Sequence, residues 1–147
     1  MVELNNRHAK ETSWQDSESF AGLLEMACFA RGMDGGGRAL LVAMDERARY
    51  ENANFAWFKG RYERFVYVDR VIVGEELRGR GVAKALYEEL FRWAREAGQE
   101  RVVCEVNLLP PNPGSDAFHA AMGFVEVGRA EIHGGAKTVR YLGREVG

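Results

Sequence analysis

The sequence predicts a single α/β domain over residues 1–147, built as a mixed sheet that is flanked by helices. The chain length of 147 residues suits one domain that buries a sizeable core. In the middle of the chain, a run rich in β-branched and aromatic residues is followed, after a short loop, by a segment whose apolar residues recur at helical spacing. No repeat, low-complexity tract or linker divides the chain.

The N-terminal part is predicted to contain two strands, one helix and a long loop. Leu4 to His8 is predicted as a short first strand, and a helix is predicted over about 17–31 from its apolar periodicity. Three glycines at 35–37 break the chain before the apolar run Ala39 to Met44, a predicted buried strand. Residues 46–62 are polar and aromatic without clean periodicity, which favours a long loop with a helical turn.

The strongest strand signal lies in the middle of the chain. Apart from Asp69 and Arg70, Phe65 to Val73 is β-branched and aromatic, so both faces of this strand are predicted to be largely buried. A helix is predicted over about 80–97, and Gly98 is well placed just past its end. Its apolar face consists of Val82, Leu86, Leu90, Trp93 and Ala97.

The C-terminal part is predicted to add one strand, a short helix and a hairpin. Val102 to Val106 is the strand, and the three prolines that follow forbid its continuation as regular sheet. A short helix from about Ser115 to Met122 comes next. Phe124 to Ile132 and Thr138 to Leu142 are predicted to pair around a Gly-Gly turn.

Composition and charge disfavour several classes of function. The net charge of −2 gives no basic field, so nucleic acid is not an expected partner. The polar start is unlike a secretory signal, and no apolar run is long enough to span a bilayer, so we expect a cytoplasmic protein without a membrane partner. Cys28 and Cys104 lie far apart and outside any C-x-x-C pair, so neither a metal site nor a disulfide is expected.

The segment that carries chemistry is the loop between the central strand and the following helix, Gly74-Glu75-Glu76-Leu77-Arg78-Gly79-Arg80-Gly81. Glycines let the backbone approach a ligand closely, and the free N–H groups at a helix start suit a diphosphate. The two arginines can add charge-assisted bonds. A P-loop needs Lys and Ser or Thr after Gly81, and a dinucleotide fold needs a third glycine where Lys84 stands, so neither fits. By itself, the loop is also compatible with an ordinary strand–helix connection.

Two blocks of sequence resemble the GNAT acetyltransferase superfamily. Arg78-x-x-Gly81-x-Ala83 is similar to the R/Q-x-x-G-x-G/A signature, which in that family follows a long central strand and opens a helix. A second block resembles the pattern N-x-x-A/S-x-x-F/L-Y-x-x-x-G-F. Its matching residues are Asn112, Ser115, Phe118, Gly123 and Phe124. Together the blocks cover about residues 65–125.

The resemblance implies a mostly antiparallel sheet that splays open at a bulge and binds acetyl-coenzyme A as the cosubstrate of acetyl transfer to an amine. The pantetheine arm pairs with the end of the central strand, and the N–H near Val71 polarises the acetyl carbonyl. Family habit alone also leads us to expect a homodimer. The implied pyrophosphate contacts are Arg78, Gly79, Arg80, Gly81, Val82 and Ala83. The implied contacts of the rest of the cofactor are Val71, Ile72, Val73, Asn112, Ser115 and Phe118.

His119 stands where the family has a tyrosine that commonly protonates the departing thiolate. A histidine can perform the same step, since its pKa lies near working pH. Alternatively, this side chain serves only in packing and hydrogen bonding on a short helix.

Glu105 and Asp69 are the candidate general bases, because each lies in a strand predicted to be buried, where an acid is costly. Either acid can instead pair with an arginine such as Arg70 or Arg101. We favour Glu105, which leads into the loop that should border the acceptor site. Strand alternation predicts the neighbours on each face: Val103 and Asn107 for Glu105, and Tyr67 and Val71 for Asp69.

The acceptor pocket is expected in the segment 46–62, where the candidate lining residues are Tyr50, Asn54, Trp57 and Phe58. An aromatic cluster of this kind is more often part of a core than of a binding site. The expected acceptor is a primary amine of a small molecule or a protein. Two other functions remain open: a module that senses acyl-coenzyme A without turnover, and an interaction domain without the ligand, although the intact glycine loop argues against the latter.

Overall fold

The computed structural model describes residues 17–33, 39–109, 113–132 and 137–146. The predicted strand at Leu4 to His8 lies outside these residues. Their elements, in chain order, are α1 (Ser17–Met26), β1 (Phe29–Met33), β2 (Ala39–Asp45), α2 (Ala53–Lys59), β3 (Val66–Val73), α3 (Val82–Glu96), β4 (Arg101–Leu109), α4 (Pro113–Ala121), β5 (Val125–Ile132) and β6 (Lys137–Glu145). A 3-10 turn at Glu75–Leu77 lies between β3 and α3.

The strands form one sheet in the order β1-β2-β3-β4-β6-β5. Strands β3 and β4 run parallel, and every other pair of neighbours in this sheet is antiparallel. The β3–β4 connection contains α3, as a crossover between parallel strands requires. The prediction of a mixed, mostly antiparallel sheet flanked by helices is therefore confirmed.

Helices cover both faces of the sheet. On the face that we call the α3 face, Leu86, Leu90 and Phe91 of α3 pack against the sheet residues Val66 and Val102. On the opposite face, which we call the α2 face, Leu23 of α1 and Phe55 and Phe58 of α2 pack against Tyr67 and Val103. The sheet is therefore buried from both sides, as the predominantly apolar character of its central strand predicts.

The predicted helix over 17–31 is wrong in its last part. Helix α1 ends at Met26, and Phe29–Met33 is the edge strand β1, in which Phe29 lies opposite Ala43. The Cys28 N–H donates to the Ala43 carbonyl at 3.0 Å, and the buried Phe29 ring packs 5.7 Å from that of Trp93. Pairing with β2 and burial of Phe29 against α3 outweigh the local helical pattern.

The prediction for the helix before the fourth strand is confirmed. Helix α3 buries Leu86 and Leu90 of the predicted stripe, whereas Ala97, at its end, is exposed. Gly98 has a φ of 78°, a left-handed conformation that glycine adopts readily, and the next N–H donates to the Ala94 carbonyl at 2.9 Å. Strand β4 runs to Leu109, beyond the predicted end at Val106.

Candidate active site

A gap opens in the middle of the sheet between β3 and β4. The two strands pair at Val66–Val102 and Tyr67–Val103, after which β3 continues beside β2 and β4 continues beside β6. Backbone N–H and C=O groups on the diverging edges are therefore available to an extended ligand. This confirms the predicted splay, and it places Val71, Ile72 and Val73 on the open edge of β3.

A β-bulge at Asp69 accompanies the splay. Val68 lies opposite Ala43 and Arg70 lies opposite Val42, so Asp69 is an extra residue on β3. The bulge reverses the alternation of side chains: Tyr67 packs on the α2 face, whereas Val71 packs on the α3 face. The prediction that Asp69 and Val71 share a face is wrong, because strict alternation does not allow for an extra residue.

The predicted diphosphate loop combines a 3-10 turn with two left-handed glycines at the start of α3. Gly79 and Gly81 have φ values of 78° and 73°, and Gly81 is the N-cap of the helix. The first N–H groups of α3 have no intrahelical acceptor, and the positive end of the helix dipole lies there. Arg78 Nε donates to the Val73 carbonyl at 3.4 Å, which joins the loop to the end of β3.

Glu105 projects from β4 on the α2 face into a shell of neutral hydrogen-bond donors. Tyr67 Oη donates to Oε2 at 2.8 Å, and Asn54 Nδ2 donates to Oε1 at 3.2 Å. Burial raises the pKa of this carboxyl from 4.5 to about 7; the charge of Asp69 adds to the rise, and both hydrogen bonds oppose it. No ion pair between described residues involves Glu105. A carboxyl group that titrates near neutral pH suits a general base.

Asp69 has the arginine partner that the sequence left open. Arg70 Nε and Tyr50 Oη each donate to its carboxylate at 2.5 Å, and the side chains of Asp69 and Arg70 are 4% and 6% exposed. The guanidinium compensates the charge of Asp69, whereas Glu105 has no such compensation. Asp69 as a general base stays a prediction, and the structure favours Glu105 for that role.

His119 is buried on α4, with both ring nitrogens in hydrogen bonds. Nδ1 lies 2.8 Å from the Ser115 carbonyl, which can only accept, so Nδ1 carries the proton of the neutral ring. Nε2 then accepts from Tyr87 Oη at 3.0 Å. Burial lowers the pKa of His119 below 6.5, while the Ser115 carbonyl and Asp116 oppose the shift, so the neutral form is favoured.

The sequence matches the acetyltransferase (GNAT) family model over residues 6–124. The chain belongs to the GNAT family. The resemblance of its two sequence blocks to this family is thereby confirmed, and with it the assignment of the chain as an acetyltransferase. None of the curated proteins matches the sequence significantly.

Solved structures of GNAT enzymes share the fold of this chain. The ribosomal-protein-S18-alanine N-acetyltransferase from Escherichia coli superimposes with a TM-score of 0.66 at 12% identity, covering 99% of this chain and 87% of its own. NAA60 from Arabidopsis thaliana, in complex with a bisubstrate analogue, gives 0.66 at 18% identity, covering 98% and 91%. The NatC complex bound to Gag peptide and CoA gives 0.70 at 14% identity, covering 98% and 88%.

Two of the four predicted acceptor residues of this GNAT domain contact the acids, and the four differ in exposure. Tyr50 bonds to Asp69, and Asn54 bonds to Glu105. Trp57 is partly exposed, whereas Phe58 is fully buried in the core of the α2 face. Their roles toward an acceptor stay predictions.

Two predicted cofactor residues of the second block lie near His119. Ser115 and Phe118 are on α4, and the Phe118 ring lies 5.6 Å from that of Tyr87 on the α3 face. Asn112 lies outside the described residues. The side chains of Glu105 and His119 therefore lie on opposite faces of the GNAT sheet, and their roles and those of the cofactor residues stay predictions. Of the remaining predicted contacts, Arg80 is exposed and Val82 and Ala83 are partly buried.

Sequence reasoning missed three tyrosines of the site: Tyr67, Tyr87 and Tyr141. Strand alternation did place Tyr67 on the same face as Asp69, but its bond to Glu105 depends on the pairing of β3 with β4. Tyr141 lies directly opposite Glu105 in the β4–β6 ladder, a register that local patterns do not reveal.

Two further properties concern the described part of this GNAT domain. None of its helices combines the length and the apolar character that crossing a bilayer requires. Within the same residues, no group of three or more His, Cys, Asp or Glu side chains is arranged to hold a metal ion.

Proposed function

We propose that this acetyltransferase transfers the acetyl group of acetyl-coenzyme A to a primary amine of a small molecule or a protein. The observation that carries the proposal is the enclosed Glu105 carboxyl, whose pKa is raised to about 7 by burial. It lies on the strand that borders the gap and has no ion-pair partner among the described residues. An ammonium group of the acceptor would supply the missing positive charge.

The gap and the glycine loop suit the cosubstrate. In the proposed complex, the pyrophosphate of acetyl-coenzyme A lies against the amides at the start of α3, and the pantetheine arm runs along Val71 to Val73. Arg78, Gly79, Arg80, Gly81, Val82 and Ala83 form the proposed diphosphate site, with Asn112, Ser115 and Phe118 along the arm. The backbone N–H near Val71 donates to the acetyl carbonyl oxygen.

Proton transfer to Glu105 prepares the acceptor for attack. The ammonium group gives one proton to the carboxylate, and the free amine then attacks the thioester carbon. A C–N bond forms, the C–S bond breaks, and coenzyme A leaves as a thiolate. The second amine proton is released as the amide forms, and the thiolate takes up a proton.

His119 is our proposed source of the proton for the thiolate. In the neutral ring that the structure favours, Nε2 accepts from Tyr87 and has no proton to give. Donation therefore requires the imidazolium form, in which Nε2 donates to Tyr87 Oη and the tyrosine proton passes to sulfur. Because burial lowers the pKa of His119, this route is available mainly at low pH.

Isothermal titration tests cosubstrate binding first. The purified protein should bind acetyl-coenzyme A and desulfo-coenzyme A, and it should not bind ATP. The same protein then enters a screen of amines, with thiol release as the readout. If the protein binds neither acetyl-coenzyme A nor desulfo-coenzyme A, the loop and the gap are not a binding site for this cosubstrate.

Two variants test the catalytic roles under conditions where binding is measured separately. Glu105→Gln should retain binding of acetyl-coenzyme A and lose turnover by about 100-fold or more, the size typical of general base catalysis. His119→Phe should lose turnover chiefly at low pH. Unchanged rates in both variants would contradict these roles, whereas tight binding without turnover of any amine by the wild type would favour an acyl-coenzyme A sensor.

The proposal extends to the setting of the enzyme. We infer a cytoplasmic enzyme, possessing no nucleic-acid or membrane partner, from its net charge of −2 and from the absence of a long apolar run in its sequence. We propose a homodimer because members of the family commonly form one, and light scattering of the purified protein tests this oligomeric state.

A further inference from the structure

We propose that Asn54 and Tyr141 are positioning residues that orient the Glu105 carboxylate, and that Trp57 and Gly128 keep Tyr141 in place for this purpose. The inference rests on the proposed role of Glu105 as general base. It reassigns Asn54, which the sequence suggested as a lining residue of the acceptor pocket.

Asn54 has a fixed position at the start of α2. Asn52 is the N-cap of this helix, and its side-chain oxygen accepts from the Asn54 and Phe55 N–H groups at 2.9 and 3.1 Å. The backbone of Asn54 is thereby held in the first helical turn. Its side chain is buried, with 9% of the residue exposed, and extends from the helix to β4.

Two hydrogen bonds orient the Asn54 amide. Its nitrogen donates to Glu105 Oε1 at 3.2 Å, and its oxygen accepts from Tyr141 Oη at 2.9 Å. A tyrosine hydroxyl has one proton, and an ionised carboxylate only accepts. If the amide turned over, its oxygen would face the carboxylate, which has no proton to give. The carboxylate therefore selects the orientation in which Asn54 donates to Glu105, and the Tyr141 hydroxyl, by donating to the amide oxygen, holds the amide in that orientation.

Packing holds the Tyr141 ring in place. Trp57 stacks on it with 4.1 Å between ring centroids and 21° between planes, and Phe58 contacts it edge-on at 5.1 Å. Gly128 lies opposite Tyr141 in the β5–β6 ladder. A Cβ atom at Gly128 would lie 2.4 Å from Trp57 Cζ2, so the indole occupies the space that any side chain there would need.

Helix α2 thus contacts the site at two points one turn apart. Asn54 touches the carboxylate directly, and Trp57 touches the tyrosine that orients Asn54. Tyr67 donates to the other carboxylate oxygen at 2.8 Å, so each oxygen of Glu105 accepts a side-chain hydrogen bond from a described residue. Since a carboxylate offers about four acceptor sites, sites remain that can take a proton from the amine.

The experiment compares two conservative removals with a matched control. Tyr141→Phe keeps the stacked ring and removes only the hydroxyl that orients Asn54, and Asn54→Ala removes the donor itself. Tyr62→Phe is the control, because Tyr62 also packs on the α2 face but is only partly buried and lies under Arg101, whose guanidinium carbon is 4.2 Å from the ring centroid. The readouts are the pH profile of kcat/KM and the titration of acetyl-coenzyme A.

We expect Tyr141→Phe to lower kcat/KM roughly tenfold below neutral pH and less above it, as loss of one oriented hydrogen bond implies. The limb of the profile that reports Glu105 should move to higher pH in both variants, because the Asn54 hydrogen bond lowers the pKa of this carboxyl. Binding of acetyl-coenzyme A and the Tyr62→Phe profile should not change. The loss of kcat/KM in the double variant should be no larger than in Asn54→Ala alone, since both changes act through the hydrogen bond from Asn54 to Glu105.

The inference is overturned if Tyr141→Phe and Asn54→Ala keep the wild-type limb, or if their losses multiply in the double variant. If circular dichroism shows that Asn54→Ala does not fold, the pH profile of Tyr141→Phe alone tests the inference. An unchanged Glu105 limb in that profile then overturns it. Glu105→Gln separates this failure from that of the proposed function. If Glu105→Gln retains the full rate, then Glu105 is not the base; if it loses the rate while the two variants behave as wild type, only the positioning role is wrong.

Discussion

Replacement of Glu105 by glutamine should make the protein more stable while it loses activity. The folded state binds the carboxyl proton more tightly than the unfolded chain, because burial raises the pKa from 4.5 to about 7. The wild type therefore loses stability as the pH rises through this window. Above pH 7, the raised pKa of Glu105 corresponds to a loss of about 3 kcal/mol in the free energy of unfolding. Glutamine avoids this cost but keeps only one acceptor for two donors, which takes back about 1 kcal/mol.

Urea unfolding of Glu105→Gln and the wild type at two pH values measures the effect. Near pH 8, the variant should be more stable by about 2 kcal/mol; near pH 4, where the carboxyl is protonated in both states, only the lost acceptor counts and the variant should be less stable by about 1 kcal/mol. Glu126→Gln is a matched control for which the change in stability should have the opposite sign near pH 8. Hydrogen bonds from Arg129 and Arg140 lower the pKa of the exposed Glu126 carboxyl, so its ionised form stabilises the folded state. If the wild type is the more stable protein near pH 8, the carboxylate stabilises the fold and this reasoning is refuted.

Three further variants probe the loop, the second proton site and the packing. Gly81→Ala meets no atom within 4 Å but places alanine at a φ of 73°, so it should cost about 1 kcal/mol of unfolding free energy in urea and weaken acetyl-coenzyme A in titration. His119→Phe removes a base whose pKa burial lowers below 6.5; the wild type loses stability as the pH falls through 6.5, and urea unfolding of the variant should show less of this loss. Gly128→Ala should displace Trp57, lower the unfolding free energy by about 1–3 kcal/mol and change the tryptophan fluorescence.

Features set by neighbours along the chain could be predicted from the sequence. Periodicity located α3, and Gly98 has the left-handed conformation expected just past the end of that helix. The two left-handed glycines of the loop, Gly79 and Gly81, followed from the need for a tight turn before the helix. In each case, the deciding contacts lie within a few residues of one another.

Features set by distant pairing could not be predicted in this way. Phe29 belongs to a strand because β2 offers it a hydrogen-bonding edge and α3 offers it a buried site, neither of which is visible in residues 17–31. The bond from Asn54 to Glu105 spans 51 positions of the chain. The stacking of Trp57 on Tyr141 depends on the register of two ladders and on the absence of a side chain at Gly128.

The bulge in β3 explains why the two acids of the site differ. By adding one residue to the strand, it sets the Asp69 carboxylate and the Arg70 guanidinium 2.5 Å apart, where they compensate each other. Glu105, on a strand without a bulge at that point, accepts from neutral donors and has no ion-pair partner in the described part of the chain. The same irregularity that accompanies the opening of the sheet therefore leaves Glu105 as the carboxyl that gains most from a positive charge brought by a ligand. An acceptor that arrives as an ammonium ion meets this need and delivers its proton to the group best able to take it.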